Sequence, residues 1–282
     1  MPEHSPLASP KATIAALKDH GLYTKKSLGQ HFLIDDGVVG KILKLASPTP
    51  EATLLEVGPG IGALTLALLK TGNPVIAIEK DAALLPALPD ATNFTLLHQD
   101  ALDLDALRQR LPRQSPLELV ANLPYQVAAT IVLAYFEHLP QLRAATVMVQ
   151  REVAERMAAN PGTKAYGAYT VKLALQAKAT GSFSVARTSF LPPPRVDSTV
   201  IRLERARQGT SQGARCSDRS GGQVQWPAIA PVPLTGHCTW PLGWSPASLA
   251  PDGSPSSRRA AAAGSSCARR RSSPSPSPVA PA

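Results

Sequence analysis

Leu55-Glu56-Val57-Gly58-Pro59-Gly60-Ile61-Gly62 runs an apolar segment into a glycine-rich turn, and this stretch decides the fold. Thr53–Val57 reads as a buried strand stopped by glycine, and Ile61–Lys70, apolar all round, reads as the helix that follows. Working outward, the pattern repeats. Val75–Ile78 is a second strand ending at Glu79, Phe94–Leu97 a third ending near Asp100, and Leu117–Ala121 a fourth ending at Asn122. A helix over Ala128–His138 precedes the strand Thr146–Val149. Helices at Glu152–Ala158 and Ala168–Ala177 follow, and Ser182–Ala186 and Ser198–Leu203 close the sheet as a late pair. Strand and helix in alternation predict an α/β fold with a mostly parallel sheet covered on both faces.

The chemistry-bearing residues fall at strand ends. Glycines at a strand-to-helix turn let backbone approach a ligand, and the helix start offers unpaired N–H groups. A ligand-free tight turn can have the same sequence, and dinucleotide dehydrogenases use such turns too. Glu79 follows the turn by about twenty residues, where a carboxylate can accept ribose hydroxyls; alone it would be a solvated strand end. Asp100 is placed for the ring of a nucleoside cofactor, or caps the next helix.

Asn122-Leu123-Pro124-Tyr125 stands at the carboxyl end of the fourth strand, where open α/β sheets place ligands. Pro124 fixes the backbone and donates nothing, so the Asn122 amide oxygen and the Leu123 carbonyl can both be aimed at an amine. Two acceptors would localise a delocalised amine lone pair and stabilise the charge that grows as it attacks a sulfonium methyl. An Asx-type turn closing a strand uses the same residues.

Six motifs in order resemble the 16S rRNA adenine N6-dimethyltransferases, relatives of the 23S rRNA methylases of macrolide resistance, over roughly Lys25 to Arg205. They are Gly29-Gln30-His31-Phe32-Leu33-Ile34-Asp35, Glu56-Val57-Gly58-Pro59-Gly60, Ile78-Glu79, Gln99-Asp100-Ala101, Asn122-Leu123-Pro124-Tyr125 and Phe190-Leu191-Pro192-Pro193-Pro194-Arg195-Val196-Asp197-Ser198. The resemblance implies a Rossmann-like class I methyltransferase that uses S-adenosyl-L-methionine. It implies methionine-end contacts from His31 and Leu33, close cofactor approach at Gly58 and Gly60, ribose at Glu79 and adenine at Asp100. The target amine is implied at Asn122, which is also among the implied cofactor contacts, and at the Leu123 carbonyl, with Tyr125 and Phe190 stacked on the extruded base and the three prolines stiffening the Phe190 loop. Many members carry Asn where His31 stands; the contact is a backbone one, which the change leaves intact.

A formal charge of +9 and a pI near 9.7 suit a polyanionic partner. The resemblance makes that partner 16S rRNA in the small ribosomal subunit or its precursor, methylated twice on each of two adjacent adenosines near the 3′ end. Competing readings are a 23S rRNA adenine methyltransferase and a non-catalytic RNA-binding assembly factor. The Asn-Leu-Pro-Tyr form and the Gly-Gln-His-Phe-Leu run favour the small-subunit enzymes. No export signal or membrane-length apolar run is evident, so a cytoplasmic monomer is expected. All three cysteines lie at Cys216 or beyond, which leaves the folded part without thiolate ligands, and no metal is expected.

The organisation expected is an N-terminal extension over 1–24 with a short helix at Thr13–His20, a methyltransferase domain over 25–207, and a tail over 208–282. After Arg207, Lys, Glu, Phe, Tyr, Asn and Met disappear while Ser, Pro, Ala, Gly and Arg accumulate. Such a composition cannot offset chain entropy, so disorder is expected. Arg269, Arg270 and Arg271 suit a basic RNA-binding tail. The abrupt shift fits a foreign or frame-shifted end better, standing where the family continues into a small helical domain.

Overall fold

Apolar strands without polar alternation need cover on both faces. The computed structural model, which describes residues 4–22 and 31–206, supplies that cover. The chain runs α1 (Pro10–Asp19), β1 (Phe32–Leu33), α2 (Asp36–Ala46), β2 (Thr53–Val57), α3 (Ala63–Leu69), β3 (Val75–Glu79), β4 (Phe94–His98) and α4 (Leu104–Arg110). It continues with β5 (Leu117–Asn122), α5 (Ala128–His138), β6 (Leu142–Gln150), α6 (Arg151–Met157), α7 (Ala168–Ala174), β7 (Ala177–Val185), β8 (Phe190–Leu191) and β9 (Ser198–Arg205).

Seven strands form one sheet in the order β4-β3-β2-β5-β6-β9-β7. The first five are parallel, and β9 pairs antiparallel with both β6 and β7. The chain builds outward from β2 to β4, then returns to place β5 on the other side of β2. That reversal opens a crevice between the carboxyl ends of β2 and β5, the place where such sheets bind ligands.

Neighbouring residues on a strand face opposite sides of the sheet, and the two apolar cores follow that alternation. Leu55, Leu119, Val147 and Ile201 belong to one core, with Tyr135 and Phe136 of α5. Leu54, Val120, Met148 and Val200 belong to the other, with Val39 and Ile42 of α2 and Leu64 and Leu68 of α3. A third, smaller cluster joins Leu17 of α1 to Phe32, Ile61 and Leu84. Arg205 ties the end of β9 to the end of α5, donating to the carbonyls of Phe136, Leu139 and Leu142.

The sheet and α5 agree with expectation, and the departures have local causes. The helix expected from Ile61 starts at Ala63, because Gly60 and Gly62 adopt φ of +62° and +87° and extend the turn. The helix expected to reach Ala177 ends at Ala174, since Ala177 opens β7, whose ladder with β9 is longer than the Ser182–Ala186 segment suggests. Three elements were not expected: α2, capped by the Asp35 carboxylate on Val38 N–H at 3.2 Å, and β1 and β8, which pair as a ribbon. The described residues all fall in one compact unit. Gly29, Gln30, Lys25, Lys26, the three cysteines, Arg269–Arg271 and the whole of 208–282 lie outside the described residues. Among the described residues no helix is long and apolar enough to cross a membrane.

Candidate active site

A cavity of about 410 Å³ opens at the β2/β5 crevice and is lined by residues of the glycine turn, the β3 end, the Asn-Leu-Pro-Tyr segment and β1. Its size falls in the range of small-molecule sites. Gly58 has φ +69°, and a Cβ there would stand 3.3 Å from Pro124 Cγ; at Gly60 it would stand 3.2 Å from the Phe32 ring. Both glycines therefore do what the turn required, keeping the floor of the crevice free of side chain.

Three carboxyl-bearing residues, Glu56, Glu79 and Asp81, line this end, and the first two are buried. Glu79, buried at the end of β3, accepts the N–H groups of Lys80 and Asp81 through Oε1, both at 2.8 Å. Burial still raises its pKa above the usual carboxylate value, against the opposing pull of those bonds. Glu56 is 1% exposed and accepts the Thr65 hydroxyl at 2.7 Å. Burial, with the nearby Glu79 charge adding to it, pushes its pKa up to about 8. An apolar crevice with an acidic, glycine-floored end suits a nucleoside bearing hydroxyls and a cationic tail, so the residues fit S-adenosyl-L-methionine. Glu56 lies within a quoted motif, yet sequence reading assigned it no role; its place on a fully buried strand was the available signal.

At the other end, the Asn122 Nδ2 donates to the His31 carbonyl at 3.3 Å. With its nitrogen turned to that carbonyl, the amide keeps Oδ1 as an acceptor beside the cavity. The His31 ring donates from Nδ1 to the Pro192 carbonyl at 2.7 Å and stacks on Tyr125, with ring centroids 5.6 Å apart. The Tyr125 hydroxyl lies 2.6 Å from Ser198 Oγ, and burial raises its pKa. Ser198 and Pro192 lie within a quoted motif, but sequence reading gave them no contact with Tyr125 or His31, since those partners come from the far end of the chain.

His31, Leu33, Gly58, Gly60, Glu79, Asn122, Leu123, Pro124 and Tyr125 all line the cavity. Asp100 and Phe190 are not among its lining residues. Asp100 is held by Lys80 Nζ at 2.7 Å and by Leu102 N–H at 2.9 Å, which lowers its pKa, and its partner Lys80 is a lining residue. The alternative of a helix cap is corrected: Asp103 caps α4. Phe190, expected to stack on a base, is 1% exposed in the core beside α2, because β8 pairs it with Leu33. In this conformation Tyr125 carries an aromatic face at the cavity and Phe190 does not.

Residues 21–215 match the family described as ribosomal RNA adenine dimethylase. The chain is 40% identical over 212 residues to Ribosomal RNA small subunit methyltransferase A of Enterococcus faecalis, covering 73% of this chain and 72% of that one. It is 41% identical over 210 residues to the protein of the same name in Listeria monocytogenes, covering 72% and 71%. Among solved structures, a dimethyladenosine transferase from Plasmodium falciparum aligns with TM-score 0.55 and 30% identity, covering 62% of this chain and 64% of that one. The 23S rRNA methyltransferase ErmE aligns with TM-score 0.55 and 28% identity, covering 65% and 73%.

Proposed function

The chain belongs to the ribosomal RNA adenine dimethylase family, and on that premise we propose that it transfers methyl groups from S-adenosyl-L-methionine to adenine N6 in small-subunit rRNA, dimethylating two adjacent adenosines near the 3′ end of the 16S molecule. It acts as a monomer in the cytoplasm. The observation that carries this reading is the Asn122 amide, fixed by the His31 carbonyl at the end of β5, directly across the crevice from Gly58.

When bound, the cofactor supplies an electrophilic methyl on a sulfonium. Gly58 and Gly60 would let it approach the backbone, Glu79 would hold its ribose hydroxyls, and Glu56 would lie near its cationic end. Asn122 Oδ1 and the Leu123 carbonyl accept the N6 hydrogens of the target adenine. Holding them localises the ring-delocalised lone pair on nitrogen and stabilises the positive charge that grows during in-line attack. The N–C bond would form as the S–CH3 bond breaks, with S-adenosylhomocysteine leaving and the extra proton passing to water; in the second transfer the one remaining N6 hydrogen would be held by one of the two acceptors. Tyr125, held by Ser198 and backed by the His31 ring, gives the extruded base a face to stack on.

The test is to offer unmethylated small and large ribosomal subunits side by side with labelled cofactor. Label on the small subunit is the expected result. Label on the large subunit would transfer the reading to 23S methylation, and saturable cofactor binding without label on either would leave a non-catalytic assembly factor.

A further inference from the structure

Arg151 and Arg187, from separate parts of the chain, meet at the Asp197 carboxylate, and the exposed Arg195 stands two residues before it in the chain. We propose that Arg151, Arg187 and Arg195 dock the backbone phosphates flanking the extruded adenosine, a reading that rests on the rRNA substrate proposed above. Arg187 Nε lies 3.1 Å from Asp197 Oδ1, and Arg151 Nη1 lies 3.9 Å from Asp197 Oδ2. Arg187 Nη1 also donates to the Arg195 carbonyl at 3.2 Å. Arg151 opens α6, Arg187 opens the turn before Phe190, and Arg195 follows the three prolines, so the cluster brackets the whole Phe190 loop.

Its position relative to the chemistry is fixed by the backbone. The Arg151 N–H donates to the Asp197 carbonyl at 2.9 Å, and the next residue, Ser198, holds the Tyr125 hydroxyl at 2.6 Å. The carboxylate that holds Arg151 and Arg187 is therefore one residue, about 3.8 Å between Cα atoms, from the hydroxyl that holds Tyr125. Glu155 lies 3.6 Å from Arg151 Nε. Asp197 and Glu155 balance Arg151 and Arg187, and the exposed Arg195, two residues before Asp197, adds one positive charge to this stretch of surface. Arg151 and Arg187 are 63% and 53% exposed, and exposed pairs of this kind contribute little stability. What Asp197 and the Arg195 carbonyl do is orient the Arg187 guanidinium, whose fork geometry suits phosphate oxygens.

The experiment measures binding of the full-length protein, saturated with S-adenosylhomocysteine, to unmethylated small subunits across a salt series. The Arg187→Ala/Arg195→Ala double variant is expected to lose about tenfold or more in affinity and to flatten the log–log salt slope by about one to two. Its cofactor affinity should match wild type. The Arg187→Lys/Arg195→Lys variant keeps the charges and should keep the slope. Arg143→Ala, at the opposite end of β6 from Arg151, should behave as wild type. A wild-type slope in the double alanine variant, or an equal loss in Arg143→Ala, overturns the proposal. So does a loss of cofactor affinity in the alanine variant that the lysine variant does not recover. Wild-type protein that binds no small subunits removes the rRNA reading and this site with it; wild-type binding with an unchanged double-alanine slope removes this site alone.

Discussion

Gly58 and Glu79 reach the cavity by one crossover, from the end of β2 through α3 to the end of β3, whereas His31 and Tyr125 reach it through partners far away in sequence. The His31 ring is held by Pro192, 161 residues on, and Tyr125 by Ser198, 73 residues on. The cofactor side is thus built from backbone turns and buried strand ends that each local segment specifies. The target side is assembled only when β1 meets β8 and β9 enters the sheet between β6 and β7. Affinity for the cofactor and turnover on the target should therefore be separable by mutation.

The largest effect is expected at Asn122. Removing one positioned acceptor near developing charge costs about 3 kcal/mol, so Asn122→Ala should lower turnover about hundredfold while cofactor affinity by calorimetry changes little. Equal losses in both would erase the distinction between the two sides.

Glu56 offers the next effect, through pH. Burial raises its folded pKa to about 8 from the 4.5 of an exposed glutamate, so the folded protein holds a proton that the unfolded chain releases. The stability from this group is complete below about pH 4.5 and is lost as pH rises to about 8, a change of a few kcal/mol in unfolding free energy. Denaturant titrations of Glu56→Gln should show a shallower decline over that window, with a residue of slope from Glu79, whose pKa is raised in the same sense. An identical decline in variant and wild type would place the buried proton elsewhere.

Smaller still is Gly58→Ala. A side chain at φ +69° costs about 1–2 kcal/mol and crowds Pro124. Cofactor affinity should fall about tenfold, with turnover at saturating cofactor reduced much less. The reverse split would show that the glycine serves the target side.

Most of the sheet and the cofactor side were legible because both rest on short-range pattern. The apolar run of β2, the glycine turn and the bounds of α5 follow from sequence neighbours alone. The helix α2 was also written there, in Asp35 as cap and Val38, Val39, Ile42 and Ala46 at helical spacing, although the glycines at 37 and 40 weaken the pattern. Phe190 was not legible. An aromatic beside three prolines reads as presented on a stiff loop, and only its pairing with Leu33 turns it into the core. The face of Tyr125 covered by His31 and the arginine cluster at Asp197 share that reason: each depends on contacts that no local window contains.

The most direct test of the account is the chemical identity of the product. Small subunits incubated with the protein and S-adenosyl-L-methionine would be digested to nucleosides and analysed by mass spectrometry. The account predicts N6,N6-dimethyladenosine, absent from the Asn122→Ala reaction over the same time. Methyl on a ribose, on another base, or on no nucleoside despite saturable cofactor binding would contradict it.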